Sequence, residues 1–472
     1  MKYISTRGAA PPVSFTEMLL AGLAPDGGLY LPEAYPQLSH ATIAGFAGKS
    51  YEEVAQAVLT PFVAGEIEAD ALRGMIEAAY KNFRHKAVAP LTQLDSNLFV
   101  LELFHGPTLA FKDLAMQLLA KLIDHVLKAR GERATVIGAT SGDTGAAAID
   151  AFGSLAQVDV FILYPYGRVS EAQRRQMTTA AAANIHTIAV EGTFDDAQAC
   201  VKNMFGHKAL REKLNLCGVN SINLARILFQ TVYYFASAAV LGGPHRKISF
   251  VVPTGNFGDI LAGWMAKRMG LPVDRLVIAT NSNDILARAL ASSSYVVESV
   301  RPTQSPSMDI QVSSNFERLL FEAHGRDAGA LCRLMAGLRQ SQGFTIEPGP
   351  LQAIRAEFDA FSVTEAETTQ EIARSWREAG FLPDPHTAVG LSAARKARAR
   401  ASGGPLVVLG TAHPAKFPDA IARATGMRPE LPSHLAGLFE RRERFSILPN
   451  DQHEIERFIH ARAARASSRA AL

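Results

Sequence analysis

A lysine at a strand-to-helix junction in apolar surroundings is an awkward place for an ammonium ion. The chain of 472 residues has one at Lys112, in F-H-G-P-T-L-A-F-K-D from Phe104 to Asp113. Desolvation and the positive end of a helix dipole both disfavour the protonated amine, and both free its lone pair for Schiff-base chemistry. The same position also suits a lysine that only lays its stem along a core helix. Other residues must decide between the two.

Two glycine turns bear on it. Ser141, Gly142, Asp143 and Thr144 lie in T-S-G-D-T-G, and Gly255, Asn256, Phe257, Gly258 and Asp259 lie in P-T-G-N-F-G-D. Each turn joins a strand-like run to a helical one, where unpaired N–H groups and the helix dipole favour an anion. Any doubly wound fold needs glycine turns simply to reverse the chain, so one alone says little. Neither turn has the Lys-Ser/Thr pair of a nucleotide loop or the G-x-G-x-x-G dinucleotide fingerprint, which argues against ATP and NAD. A phosphate cradle without a magnesium ligand, combined with an apolar-sited lysine, points to a small phosphorylated aldehyde, pyridoxal phosphate. Thr411 ends the last strand-like run, Pro405 to Leu409, where open α/β sheets bind ligands.

The elements that must position these groups follow from periodicity. Leu98 to Phe104 reads as a strand, and Leu114, Leu118, Leu119, Leu122 and Val126 recur at helical spacing up to Gly131. Strands are expected at 134–139, 158–163, 185–190, 247–252 and 275–280, alternating with helices, which argues for parallel sheet with crossover helices. Ser14 with Glu17 and Ser170 with Gln173 are capping-box patterns. Ser292 to Met308 reads as a mobile Ser/Pro-rich connection, Asn315 to Gly380 as almost entirely helical, and the tail after Glu454 as a polar helix that frays.

Composition excludes several function classes. Net charge is +3 and 48% of residues are hydrophobic, as in an ordinary globular chain, and the basic residues are scattered except in Arg395 to Arg400 and the tail after His460. No nucleic-acid footprint results. Three separated cysteines, Cys200, Cys217 and Cys332, indicate neither a disulfide framework nor a cysteine zinc site, and the histidines have no zinc spacing, so no metal is implied. The N-terminus lacks an apolar signal core and no run approaches a membrane span, so a soluble protein of the reducing cytoplasm is expected. His386 in D-P-H-T-A-V-G and His413 in T-A-H-P read as local hydrogen-bonders, and His105 either touches the site or makes a structural hydrogen bond.

F-H-G-P-T-L-A-F-K-D-L-A-M-Q, A-T-S-G-D-T-G-A-A and P-T-G-N-F-G-D together resemble the threonine synthase family, among the pyridoxal-phosphate enzymes built on the tryptophan-synthase β-subunit fold. Y-P-Y-G-R-V-S, N-S-I-N-L-A-R-I-L, D-P-H-T-A-V-G and L-G-T-A-H-P-A-K-F-P-D extend the likeness over nearly the whole chain. The fold it implies is α/β: two open twisted, mostly parallel sheets flanked by helices, the type II arrangement of pyridoxal-phosphate enzymes. Residues 1–88 would form a mainly helical N-terminal domain and 89–345 the cofactor-binding core, with a small mobile subdomain around 105–215. Residues 346–472 would form a helical C-terminal region completing the large domain with the Thr411 strand end.

The resemblance also implies a lyase that converts O-phospho-L-homoserine and water into L-threonine and phosphate, the last step of threonine synthesis, as a monomer or homodimer. Lys112 would carry pyridoxal phosphate covalently and move protons. The backbone of Gly255, Asn256, Phe257 and Gly258 would hold its phosphate, with Asp259 closing the loop. Thr411 would hydrogen-bond the ring nitrogen, and Ser141, Gly142, Asp143 and Thr144 would receive the substrate carboxylate. Arg168, Arg226 and Asn281 to Asn283 are candidates for the departing phosphate, with solvated ion pairing the alternative for either arginine. Leu224, where an aromatic is expected, and Tyr166, where a lysine is frequent, depart from the family pattern. Two other readings compete: a catabolic phospho-lyase that makes a keto acid on the same fold, and a metabolite-binding protein that keeps the fold without the chemistry.

Overall fold

The computed structural model describes residues 1–398 and 403–469, with side chains as far as residue 463. Two open sheets organise it. The larger has six strands in the order Phe358–Ser362, Val273–Thr280, Ile248–Pro253, Leu406–Gly410, Leu98–Glu102 and Leu91–Gln93, parallel except for the last pair. The smaller has five parallel strands in the order Ser446–Pro449, Ile185–Glu191, Val158–Pro165, Ala134–Ala139 and Leu216–Gly218. Ala134–Ala139, Val158–Pro165 and Ile248–Pro253 are buried along their whole lengths. That is why they read as continuous apolar runs: helices cover both faces of a parallel sheet.

The helix Lys112–Arg130 packs against Asp143–Phe152, Ala69–Tyr80 and Leu224–Val240. It stops at Gly131, whose φ of +65° supplies the left-handed cap that a side chain would resist. N-terminal helices Phe15–Ala21 and Tyr51–Val63 open with capping boxes at Ser14/Glu17 and Ser50/Glu53, and a further box, Ser170/Gln173, opens Glu171–Thr178. No helix among the described residues is long and apolar enough to cross a membrane.

Three expectations are corrected. Within Asn315 to Gly380 lie two strands, Gly343–Thr345 and Phe358–Ser362, the second an edge of the large sheet. F-D-A-F-S is five residues long and follows a helix without a turn signal, so periodicity could not separate it. The C-terminal region does not stay with the large sheet: Ser446–Pro449 pairs with Ile185–Glu191, and the helix Gln452–Arg469 buries Ile455, Ile459 and Ala463 in the core of the small one. Those three residues stand four apart on one helix face, a stripe hidden by the polar composition around it. Ser292 to Met308, expected as a loose connection, is stitched down. Asn281 Nδ2 donates to Ser305 Oγ at 2.9 Å and Asp309 Oδ1 at 2.8 Å, and Asn283 Nδ2 donates to Arg301 O at 2.9 Å.

The basic run is paired as far as it is described: Arg395 with Glu371, Lys396 with Glu367 and Arg398 with Asp95. Arg400 lies outside the described residues.

The docked tail makes a prediction. Ile459→Ala should lower stability by about 2–5 kcal/mol, the usual range for emptying a buried isoleucine site, whereas a change at exposed Arg457 should stay within about 0.5 kcal/mol. Denaturant unfolding of the two variants measures this, and equal small effects would mean that the helix does not close the small sheet's core.

Candidate active site

Lys112 is the first residue of its helix, preceded by Phe111, whose N–H donates to Thr411 O at 2.9 Å. A bridge between Ala110 and Ala412 completes the seam. The lysine junction is thereby sewn to the carboxyl end of the strand Leu406–Gly410, and the amine opens inward, 4.6 Å from the Phe111 ring centre and 3.8 Å from Asp143 Oδ2. Burial holds its pKa below the usual lysine value. Asp143 opposes that effect, while Arg226 and Lys416 reinforce it.

The turn Gly255–Gly258 is tied down through its carbonyls. Ser313 Oγ donates to Gly255 O at 2.7 Å, and Asn315 donates to Asn256 O through its backbone N–H at 3.1 Å and Nδ2 at 2.9 Å. The carbonyls are thus taken up, and the N–H groups of residues 255–258 find no acceptor among the described residues. A Cβ at Gly255 would stand 2.9 Å from Ser307 O, so only glycine fits, and Phe257 accepts a left-handed φ of +63°. Asp259 follows in the first turn of the helix. Its Oδ1 accepts from Tyr233 at 2.5 Å and Tyr234 at 3.0 Å, its Oδ2 is buried without a partner, and burial pushes its pKa up to about 7.

At Ser141–Thr144, Thr140 Oγ1 accepts from the N–H groups of Gly142 and Gly145, each at 2.9 Å. Gly142 adopts a φ of +133°, and a Cβ there would lie 2.4 Å from the Gln173 side chain. The N–H groups of Ser141, Asp143 and Thr144 keep no acceptor among the described residues. The Asp143 carboxylate accepts from Lys416 Nζ at 2.7 Å and Gln173 Nε2 at 2.9 Å. Burial alone would raise its pKa, but Lys416 and then Lys112 hold it well below the carboxylate range.

Lys112, both turns, Arg168, Arg226 and Thr411 line one cavity of about 650 Å³, with Gly142 set back behind its neighbours. Thr411 takes Thr387 Oγ1 through its backbone N–H at 3.1 Å, and its hydroxyl finds no partner among the described residues. Arg226 is buried, donates Nη1 to Val219 O at 3.0 Å and has no partner for Nε; burial lowers its pKa to about 10. Arg168 stands exposed at the rim, next to exposed Tyr166, and Leu224 is buried at the start of the helix Leu224–Val240. Asn281 and Asn283 are not among the lining residues, being spent on the strap after Ser292. His105 also stands apart, paired with Glu102 Oε2 at 2.7 Å, and His413 accepts from the Ala415 N–H.

Sequence reasoning missed three groups. His386 lines the cavity, its Nε2 accepting from the Ser307 N–H at 3.2 Å and its Nδ1 paired with Asp384 at 2.7 Å. Gln173 and Lys416 hold Asp143. The Asp-Pro-His spacing was legible as an Asp that caps and orients a histidine; nothing local marked Lys416.

The donor set fits a phosphorylated aldehyde: a depressed amine, an open cradle of amides that a single Cβ would obstruct, and a hydroxyl where a ring nitrogen needs a partner. Comparison with known proteins agrees over the whole chain. The family described as threonine synthase N terminus matches residues 2–80, pyridoxal-phosphate dependent enzyme matches 84–411, and threonine synthase, C-terminal matches 387–459. The chain belongs to the threonine synthase family. Threonine synthase of Pseudomonas aeruginosa is 52% identical over 460 residues, covering 97% of this chain and 98% of that one. The crystal structure of pyridoxal-phosphate-bound threonine synthase from Brucella melitensis superposes with a TM-score of 0.94 at 58% identity, covering 98% and 99% of the two chains. The yeast threonine synthase structure gives 0.91 at 38% identity, covering 98% and 99%.

Within this threonine synthase fold, the two buried acids Asp113 and Asp259, both raised to about 7 by burial, set a pH dependence. An unfolded aspartate titrates near pH 4. Between about pH 4 and 7 the folded chain therefore holds protons that the unfolded chain has released, so stability should fall as pH rises through that window. Asp259→Asn should flatten the slope by up to about 1.4 kcal/mol per pH unit. Denaturant unfolding of the cofactor-free protein at a series of pH values reads it directly, and an unchanged slope would contradict the protonated state of Asp259.

Proposed function

We propose that the chain is a threonine synthase in activity as well as in descent, converting O-phospho-L-homoserine and water into L-threonine and phosphate, the last step of threonine synthesis. The observation that carries this is the opening of the Lys112 amine into the same cavity as two separate anion-receptive turns, one suited to a cofactor phosphate and the other to a substrate carboxylate. Neither turn has the Lys-Ser/Thr pair of a nucleoside triphosphate loop or the glycine spacing of a dinucleotide one.

Pyridoxal phosphate supplies an electrophilic aldehyde and a ring that withdraws charge developing beside the substrate's amino group. Lys112 would hold it covalently through the side-chain nitrogen. The amides of Gly255, Asn256, Phe257 and Gly258 would receive its phosphate, and the Thr411 hydroxyl would serve its ring nitrogen without the full charge that an aspartate would impose there. Asp259, its pKa pushed up to about 7 by burial, carries less negative charge beside that phosphate than a solvated aspartate would. Ser141 and Thr144 orient the substrate carboxylate at a helix N-terminus, on a turn that Gly142 shapes with its N–H held by Thr140. The Lys112 amine takes the Cα proton and serves later transfers at Cβ and Cγ, because it is regenerated after each. Arg226, buried and with an unpaired Nε, and Arg168 at the rim await the phosphate that leaves Cγ.

The proposal also covers a cytoplasmic enzyme with no nucleic-acid partner, working as a monomer or homodimer, and an organisation into residues 1–88, a core from 89 and a small subdomain around 105–215. It departs from the earlier expectation in taking the last strand and helix with that subdomain.

A single assay tests the reaction. Purified protein given O-phospho-L-homoserine should release phosphate and threonine in equal amounts, and Lys112→Ala should lose about 10²–10⁴ in rate together with the borohydride-sensitive cofactor band near the visible. Phosphate with 2-oxobutyrate and ammonia in place of threonine would establish the catabolic lyase instead. Absence of the cofactor band in the parent protein would leave a binding protein.

A further inference from the structure

An acid in the turn Ser141–Thr144 conflicts with the use proposed for that turn. The amides of Ser141 and Thr144 are open to an anion, yet between them Asp143 carries a buried carboxylate of the same sign, which repels an incoming one. Lys416 resolves the conflict. It lies six residues past the strand Leu406–Gly410, is fully buried, and places Nζ 2.7 Å from Asp143 Oδ1 while donating to Thr108 O at 2.9 Å. Gln173 Nε2 shares Oδ1 at 2.9 Å. The other oxygen, Oδ2, faces Lys112 Nζ at 3.8 Å and Ser307 Oγ at 3.5 Å. One carboxylate thus stands between two lysines drawn from opposite ends of the core. Lys416 is held by two acceptors; Lys112 makes no hydrogen bond among the described residues.

We propose that Lys416 is a positioning residue: by holding Asp143 Oδ1 it cancels that acid's charge, so that the turn stays receptive to the substrate carboxylate and Oδ2 stays directed at the Lys112 amine. This rests on the reading of Ser141–Thr144 as the carboxylate site. The charged groups that act on Lys112 are Asp143, Arg226, Lys416 and Asp259. Removing Lys416 takes a like charge away from the Lys112 amine and leaves Asp143 with Lys112 as its one lysine partner. Both changes favour protonated Lys112. Removing the Asp143 charge as well reverses the second change and lifts the repulsion from the turn.

The test uses Lys416→Met, Lys416→Arg and the double variant Lys416→Met/Asp143→Asn, each first checked for a cooperative thermal transition. The double variant removes both charges of the Lys416–Asp143 pair and strands neither, so it keeps the test open if the single methionine variant does not fold. In cofactor-free protein, modification of Lys112 by trinitrobenzenesulfonate is followed against pH by peptide mass spectrometry. Its onset should rise by on the order of one pH unit in Lys416→Met, return toward the parent value in the double variant, and stay near it in Lys416→Arg. In holoenzyme, KM for O-phospho-L-homoserine should rise on the order of tenfold in Lys416→Met, as one removed neighbouring charge implies, and fall again in the double variant. An unchanged onset and KM in Lys416→Met, or losses that Asp143→Asn does not restore, would overturn the proposal. The α-carboxamide of the substrate separates the two readings: if the parent enzyme binds it as well as the acid, the turn is not the carboxylate site, while the Lys112 onset still reports on Lys416 alone.

Discussion

A buried amine has to be kept reactive without being left as an unpaired charge, and the arrangement around Lys112 follows from that constraint. Desolvation lowers the amine's pKa, and the nearby Arg226 and Lys416 push the same way, while Asp143 at 3.8 Å opposes them. The opposition is graded by geometry. Asp143 gives its closer oxygen to Lys416 at 2.7 Å and only its more distant one to Lys112, so the Lys112 charge is compensated enough to be tolerated and the amine left free enough to bond an aldehyde. A direct short ion pair between Lys112 and Asp143 would have pinned the amine in its protonated form.

That balance is possible because every contributing group arrives from the carboxyl end of a parallel strand. The lysine junction follows Leu98–Glu102, Thr411 follows Leu406–Gly410, and Gly255–Gly258 follows Ile248–Pro253 in the large sheet. Ser141–Thr144 follows Ala134–Ala139, Arg168 follows Val158–Pro165, and Arg226 lies in the helix after Leu216–Gly218 in the small one. In a parallel sheet these ends lie on one edge, and the helices that follow present their N-termini there. Two such edges enclose the cavity. The anion-receptive amides therefore come from the architecture, and the side chains only tune it.

Much of this was legible in the sequence for a physical reason. Buried parallel strands read as short apolar runs, and glycine turns mark where such strands end, so 134–139, 158–163 and 185–190 fell within a residue or two of the observed strands at their starts. Gly255 and Gly142 announced close approaches that a Cβ would block. What stayed hidden depends on long-range partners. Phe358–Ser362 is a strand because Val273–Thr280 lies beside it, and the tail helix packs on Val158–Pro165, more than 280 residues earlier. Lys416 looks like any lysine in a loop until the fold brings Asp143 to it.

The N-terminal segment belongs to the same machinery through one buried guanidinium. Arg318 has no exposed surface and donates Nε to Tyr30 O at 2.8 Å, Nη2 to Ile222 O at 2.7 Å and Nη1 to Asn315 Oδ1. Asn315 in turn donates to Asn256 O from both its backbone and its side chain. Burial lowers the Arg318 pKa to about 9, which still leaves a cation at neutral pH, and its acceptors offset the cost of burying it. One of those acceptors comes from the N-terminal strand Tyr30–Pro32, one from the segment entering the helix of Arg226, and one from the residue that turns the carbonyl of Asn256 away from the cavity. A planar fork with five donors can satisfy three partners from three parts of the chain at once, where a lysine would hold them as a point charge without fixed directions. The orientation of the phosphate-receptive amides is therefore coupled to the seating of the N-terminal strand, and residues outside the α/β core act on the site through geometry alone.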